Sequence, residues 1–386
     1  MTGGRTRLHP MPERQPYVPE YCVWELTLRC NLRCLHCGSK AGRARADELT
    51  LEECLPVADE LAALGCRQAS LIGGEVFLYR GWERVARRLA DRGVQVNTIT
   101  NGLVLDDSHL AEIRHARLSN VCLSLDGLRE AHNTIRGVRT SFDRAVATMA
   151  RLRSEDIPVA VVTTLTALNV DDLPGLYELL VAHGVETWQI QLATPMGNMA
   201  RARHLLLEPA RVPGVTRFIR EHRDAARLWI LAGDDIGYYD KNEIYLRNQP
   251  GSLGSWQGCS AGLRAVGIDS EGNVKGCESL YDPRFVEGNL RTRSLSEIWN
   301  DAGAFSYNRR FEIGQLGGTC TGCDKGARCR GGCRGVCFFT SDGLFTNPYC
   351  CYPGRPSSES ESDSASDPQA AGGPGPQIRR PQRARR

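Results

Sequence analysis

Residues 30–37 read Cys30-Asn31-Leu32-Arg33-Cys34-Leu35-His36-Cys37, three cysteines spaced C-x3-C-x2-C directly behind the apolar run Tyr21 to Leu28. Iron–sulfur clusters are held by cysteine thiolates, and a cubane normally takes four. The local set stops at three, which would leave one iron with a position open to another ligand. An open coordination position separates a reactive metal site from a structural one. The plain alternative is a zinc knot. Zinc wants a fourth Cys or His, and His36, wedged between the last two cysteines, is poorly placed to supply it.

The rest of the 386-residue chain bounds the answer. It is 41% hydrophobic and 24% charged, with a net charge of +3. That balance is ordinary for a globular protein and gives no strong field for nucleic acid. No run of about 18 apolar residues is present, so no membrane span is expected. Residues Met1 to Glu20 are rich in Arg and Pro and lack an apolar core. They read as an irregular arm, not as a signal peptide, and a cytoplasmic chain is expected. The chain has sixteen cysteines. Without a secretory signal, that excess points to metal rather than to disulfides. Cys22, Cys54, Cys66 and Cys122 lie scattered in apolar segments and read as small buried hydrophobes.

From Cys22 onward, strand and helix patterns alternate. Strands are expected over Cys22–Leu28, Gln68–Ile72, Val94–Thr100, Val121–Leu125, Val159–Leu165 and Thr187–Leu192. Helices follow over residues 51–64, Trp82–Asp91, His109–Ala116, Phe142–Ser154 and Leu173–His183, and one more follows the sixth strand. Thr50-Leu51-Glu52-Glu53 is a capping box for the first helix. The alternation implies an α/β fold with a parallel sheet and right-handed crossovers. Six units are too few to close an eight-stranded barrel, and an open doubly wound sheet fits the pattern equally well.

Polar motifs fall at strand ends. Gly73-Gly74-Glu75 follows the second strand, Thr100-Asn101-Gly102 ends the third, and Ser124-Leu125-Asp126-Gly127 ends the fourth, with Arg136-Gly137 beyond. Glycines admit close backbone approach, and a Glu can accept from an ammonium. Asp126 reads either as a substrate contact or as a turn former, since Asp-Gly is a turn signal. Thr164, Asn169 and Gln191 are further polar residues at strand ends, expected to face the mouth of the site. Asp234-Asp235, beside Trp229, Tyr238, Tyr239 and Tyr245, reads as a solvated loop in a bridge between domains.

With Cys30, Cys34, Cys37 and the Gly73-Gly74-Glu75 motif in place, the chain resembles a radical S-adenosylmethionine (SAM) enzyme. His36 stands where that family usually has an aromatic residue, and Val76 where it usually has Pro. The resemblance implies a partial (β/α)6 TIM-type barrel with the site at the C-terminal ends of the strands. It also implies a [4Fe–4S] cluster whose open iron chelates SAM, and reductive cleavage of SAM to a 5′-deoxyadenosyl radical. It assigns Gly73, Gly74 and Glu75 to the amino group of SAM, Ser124 to its ribose or carboxylate region and Arg136 to its carboxylate. Asn101 joins the expected cofactor-binding residues. An electron donor such as flavodoxin or ferredoxin is implied.

A second cysteine system follows: Cys259, then Cys277, then Cys320, Cys323, Cys329 and Cys333, then Cys337, Cys350 and Cys351. Thiol count alone leaves two zinc sites open. The ordered spacing C-x12-G-x4-C, C-x2-C-x5-C-x3-C and a later Cys resembles the SPASM extension of radical SAM enzymes, a small Cys-rich domain with two auxiliary [4Fe–4S] clusters. By that resemblance Cys259, Cys277 and Cys333 hold the first auxiliary cluster, which is either open at one iron or completed by Cys337. Cys320, Cys323 and Cys329 hold the second, with Cys350 or Cys351 as fourth ligand. Glu278 is a candidate catalytic base beside Cys277, with a surface Glu as the alternative. The expected domains are an arm (1–20), a radical SAM core (21–248), a SPASM domain (249–353) and a disordered low-complexity tail (354–386).

The function expected is hydrogen abstraction from a peptide or protein, giving an oxidised residue, a crosslink or an inverted centre. One alternative is a small-molecule enzyme on the same scaffold: a sugar-alcohol dehydrogenase or epimerase, or a tetrapyrrole or quinone-cofactor maturase. The arm Met1 to Glu20 is expected to be too short for a leader-binding module, which keeps that alternative close. The other alternative is a non-enzymatic zinc-binding interaction module.

Overall fold

Six parallel strands alternate with helices in the order the periodicity predicts. The computed structural model describes residues 17–223, 227–233, 235–247, 254–341 and 343–354. Most of the N-terminal arm, Asp234, the 248/249 domain boundary and the low-complexity tail from residue 355 onward lie outside the described residues. The strands are β1 (Tyr21–Glu25), β2 (Gln68–Ile72), β3 (Gln95–Thr100), β4 (Asn120–Ser124), β5 (Val159–Leu165) and β6 (Thr187–Leu192). Between them run α1 (Leu51–Ala63), α2 (Trp82–Asp91), α3 (Asp107–Ala116), α4 (Arg129–Arg136), α5 (Ser141–Ser154) and α6 (Leu173–Ala182). α7 (Val212–Arg223) follows β6.

Local chemistry sets these bounds. Thr50 caps α1 in a complete capping box with Glu53, and α1 stops before Gly65 at φ +91°. Asp106 caps α3, accepting from the His109 N–H. The α4 helix was not expected. It ends at Gly137 in the left-handed region and holds Arg136 in its last turn. β5 is buried on both faces, as a central parallel strand requires.

The sheet is larger than the six units suggest. β7 (Trp229–Ala232) pairs parallel with β6, inside the stretch expected to be an irregular bridge. β8 (Ala265–Ile268) pairs parallel with β1, from Tyr21↔Ala265 to Trp24↔Ile268. β9 (Asn273–Lys275) and β10 (Gly288–Asn289) continue antiparallel. The order is β10-β9-β8-β1-β2-β3-β4-β5-β6-β7 in one sheet, with β7 and β10 as edges. One sheet therefore runs from the strand–helix repeat into the Cys-rich region. The largest apolar core lies between strands and helices, with Trp24, Leu61, Leu71, Trp82, Leu89 and Trp188 all fully buried.

Gly267 marks how tightly the Cys-rich region closes on β8. A Cβ there would collide with the backbone nitrogen of Glu278. Gly214 in α7 has no neighbour within 4 Å of such a Cβ. Gly267→Ala should therefore cost about 1–3 kcal/mol by overpacking. Gly214→Ala should be neutral or stabilise by up to about 1 kcal/mol through helix propensity. Denaturant melts of both variants against the parent chain check the opposite signs.

Candidate active site

The C-terminal ends of the strands enclose a cavity of about 300 Å³. Cys30, Cys34 and Cys37 line it with Gly73 and Gly74, Thr100 and Asn101, Ser124, Arg136, Thr164 and Gln191. Three thiols without a fourth thus share a cavity with glycine backbone and strand-end polar groups, as the spacing predicts. The thiols are prepared to carry charge. The Leu32 N–H donates to Cys30 Sγ at 3.4 Å, and the Ala41 N–H to Cys37 Sγ at 3.3 Å. Arg136 Nη1 donates to Cys34 Sγ at 3.7 Å. Without a metal, burial pushes the Cys30 thiol up to about 11, so deprotonation would need the metal itself.

The loop is clamped from several strands. The Leu35 N–H donates to Ile135 O at 2.8 Å. Asn198, past β6, donates from Nδ2 to Cys34 O and from its backbone to Cys37 O, both at 2.9 Å. Asn101 Nδ2 donates to Asn31 Oδ1 at 2.7 Å.

Asp126 is the electrostatic centre, a role neither sequence reading gave it. It is fully buried; Oδ2 accepts from Arg136 Nη2 at 2.6 Å and faces His36 Nε2 at 2.8 Å. Oδ1 accepts from the Thr164 N–H at 3.0 Å. Burial alone would raise this carboxyl; Arg136 and then His36 outweigh it and hold it well below the usual carboxylate range. The Asp126 N–H donates to His132 Nδ1 at 3.0 Å, so His132 Nε2 carries the proton toward Ser141 Oγ at 3.0 Å. Burial, helped by Arg136, lowers His132 to about 4, keeping it neutral.

Several expected roles look different in place. Glu75 is fully buried. Its carboxylate accepts from Thr100 Oγ1 at 2.8 Å, the Asn101 N–H at 2.9 Å and the Phe77 N–H at 3.4 Å. It caps a short 3-10 turn (Val76–Leu78), and what lines the cavity from this motif is Gly73 and Gly74. Asn169 is buried, with its amide donating to Asp126 O and Thr164 O, away from the mouth. Asp235 lines the cavity rather than lying in a solvated loop, and its Oδ2 accepts from the Leu192 N–H. Glu278 is neither at the surface nor on the cavity. Its neighbour Ser279 lines the cavity, while Glu278 Oε1 pairs with Lys275 Nζ at 2.9 Å, both side chains nearly inaccessible. Burial raises the Glu278 carboxyl against the pull of Lys275.

The later cysteines form two groups. Cys259, Cys277 and Cys333 lie beside one another, with Arg334 next to them. Cys320, Cys323, Cys329 and Cys350 line one small cavity with Tyr239, Lys325 and Tyr352. Cys350, not Cys351, lines it; Cys351 packs against the large core. Cys337 is buried, with its thiol donating to Gly331 O at 3.0 Å. All sixteen cysteines are free thiols, and Cys22, Cys54, Cys66 and Cys122 are buried. Among the described residues no three His, Cys, Asp or Glu side chains converge on a single-ion site. Among the buried guanidinium nitrogens of the described residues without a hydrogen-bond partner, Arg136 Nε and Arg334 Nε belong to side chains beside Cys34 and Cys259.

The Asp126 network predicts a stability effect. Asp126→Asn leaves Arg136 buried without its carboxylate and should cost about 3–5 kcal/mol. Asp171→Asn, which breaks an exposed pair with Arg211, should cost less than about 1 kcal/mol. Asp126 sits below its unfolded value of about 3.9. Its contribution is therefore intact above that pH and drains away as pH falls through the folded value. Denaturant unfolding at pH 7 and pH 3 checks both size and sign.

Comparison with known proteins agrees with this geometry. The radical SAM superfamily model matches residues 24–180, and the SPASM iron–sulfur cluster-binding domain matches residues 259–324, together more than half of the chain. The AdoMet-dependent heme synthase of Methanosarcina barkeri is 29% identical, with 88% of this chain and 98% of that protein aligned. The mycofactocin maturase MftC of Mycolicibacterium smegmatis is 29% identical, over 87% of this chain and 84% of that protein. The crystal structure of Streptococcus suis SuiB bound to S-adenosylmethionine superposes with a TM-score of 0.69 at 15% identity, over 86% of this chain and 76% of that one. At that identity the likeness speaks for the fold. The three-cysteine cavity, the strand–helix repeat and both matched domains place the chain in the radical SAM superfamily, as an enzyme with a C-terminal SPASM domain that uses SAM and [4Fe–4S] clusters.

Proposed function

We propose that the chain abstracts a hydrogen atom from a peptide substrate and oxidises, crosslinks or epimerises it. The observation that carries the radical step is the cavity of about 300 Å³ that holds Cys30, Cys34 and Cys37 without a fourth protein ligand. When bound there, a [4Fe–4S] cluster and SAM together supply a 5′-deoxyadenosyl radical. The residues of the chain do the positioning. Cys30, Cys34 and Cys37 hold the cluster, with backbone N–H groups and Arg136 donating to their sulfurs. The Gly73–Gly74 backbone lets the SAM amino group approach closely. Arg136 spends its Nη groups on Asp126 and Cys34, which leaves Nε for the SAM carboxylate. Ser124 and Asn101 flank the same cofactor. Thr164, Gln191 and Asp235 shape the mouth where substrate enters.

Cys259, Cys277 and Cys333 would hold one auxiliary cluster, and Cys320, Cys323, Cys329 and Cys350 the other. The proximity of the thiols within each group supports this division. A flavodoxin or ferredoxin is the fitting electron donor, and the free thiols suit a reducing cytoplasm. Among the described residues no helix is long and apolar enough to cross a membrane.

Peptide chemistry is favoured by relatives such as the PqqA peptide cyclase of Ruegeria pomeroyi (28% identical) and the mycofactocin maturases. One observation favours a second reading, a tetrapyrrole substrate: the heme synthase aligns over 98% of its own length.

Anaerobic reconstitution should load about twelve irons and as many sulfides per chain, three cubanes. With dithionite and SAM the protein should release 5′-deoxyadenosine. Combined Cys30→Ala, Cys34→Ala and Cys37→Ala should abolish that release and remove about four irons. Zinc without sulfide, or a triple variant that still cleaves SAM, would overturn the assignment. Deuterium transfer into 5′-deoxyadenosine from a deuterated peptide supports the peptide reading; transfer from a deuterated iron porphyrin alone establishes the second.

A further inference from the structure

Arg334 is fully buried, yet among the described residues no carboxylate pairs with it. Its Nη1 donates to the carbonyls of Arg330 at 2.6 Å, Leu344 at 3.1 Å and Gly332 at 3.2 Å. Nη2 donates to Asn308 Oδ1 at 3.2 Å, and Nε has no partner. The Phe345 ring lies 4.3 Å away. A guanidinium does not lose its proton in a protein, so this is a permanent buried charge. Carbonyl dipoles and a ring soften its desolvation but do not cancel it.

The neighbourhood shows what would cancel it. Arg334 follows Cys333 directly in the chain and lies beside both Cys259 and Cys337. Asn308, which accepts from Arg334, donates from Nδ2 to Cys259 O at 2.7 Å and Ala261 O at 2.8 Å. The same amide therefore orients the cation and the chain carrying the thiol. The half-buried Arg330 adds further positive charge near Cys259. The Cys30–Cys34–Cys37 site is built the other way. There Arg136, the cation beside Cys34, already has Asp126 at 2.6 Å. One thiol group faces a neutralised cation and the other an uncompensated one. Net charge around a cluster and hydrogen bonds to its sulfurs set its reduction potential.

We propose that Arg334 is the counter-charge of the Cys259–Cys277–Cys333 site: its buried guanidinium, held by carbonyls and not by a carboxylate, balances the thiolate charge of the bound cluster and raises that cluster's reduction potential above that of the Cys30–Cys34–Cys37 cluster. Arg334 is a positioning residue, acting through the cluster and not on substrate. The proposal rests on the assignment of an auxiliary cluster to these three cysteines.

The test is a redox titration followed by electron paramagnetic resonance on the reconstituted full chain. Arg334→Met removes the charge at similar volume, and Arg334→Lys keeps it while losing the forked carbonyl contacts. If the unsubstituted protein shows no auxiliary cluster signal, the cluster assignment itself fails, separately from the role of Arg334. With the signal present, Arg334→Met should shift one auxiliary couple at least tenfold toward the oxidised form, 59 mV for one electron. Arg334→Lys should shift it less than threefold, and the Cys30–Cys34–Cys37 couple should stay in place. An Arg334→Met protein with full iron and three unmoved couples overturns the proposal. If Arg334→Met loses iron, Arg334→Lys decides. Loading of Arg334→Lys to the parent level supports the counter-charge. Equal depletion makes Arg334 a clamp of the Arg330–Leu344 loop and overturns it.

Discussion

A single buried carboxylate ties the active site together. Asp126, at the end of β4, takes the Arg136 guanidinium, the His36 ring and the Thr164 N–H. Its own N–H goes to His132. Through those partners it joins the loop between β1 and α1, the last turn of α4 and the end of β5. Arg136 passes the constraint on to Cys34. Breaking this centre would leave charges stranded in a low-dielectric interior, where they cannot be resolvated cheaply. The loop carrying Cys30, Cys34 and Cys37 is therefore held in shape by polar contacts from strands far away in sequence.

The same economy appears at the seam between β1 and the Cys-rich region. β8 extends the barrel sheet along β1, and the buried Glu25 meets Arg45 and Tyr281 at that edge. Lys275 and Glu278 neutralise each other beside it. This pairing gives Glu278 a structural partner. It also explains why a carboxylate next to a cysteine does not reach the cavity, while Ser279 does. The Lys275 and Arg45 charges near the seam thus have carboxylates, and among the described residues Arg334 does not.

Much of the fold was legible because it is written in local periodicity. β2, β5, β6 and α2 begin and end where apolar alternation, helical stripes and flanking Gly or Pro place them. The three cysteines and the two glycines of the cavity were legible because their spacing is chemistry in its own right. What was not legible depends on contacts between distant residues. Nothing in Ala265–Ile268 announces that its partner is Tyr21–Trp24, more than 240 residues earlier. Asp126 read as a substrate contact or a turn former, since Asp-Gly favours turns locally, whereas its burial against Arg136 and His36 depends on contacts distant in sequence. Glu75 read as a ligand for an ammonium, but Asn101 and Thr100, on the neighbouring strand end, occupy its oxygens. Cys350 and not Cys351 lines the cavity with Cys320, Cys323 and Cys329, and spacing could not separate adjacent positions.

The central claim is that one thiol group of three holds a cluster open to SAM, while the others hold clusters that are not. Electron paramagnetic resonance of the reduced protein, with and without SAM, tests it most directly. The account predicts that SAM alters one of three cluster signals, the one lost with Cys30, Cys34 and Cys37, and leaves the other two unchanged. A SAM-induced change that survives without those cysteines, or no change in any signal, would contradict it.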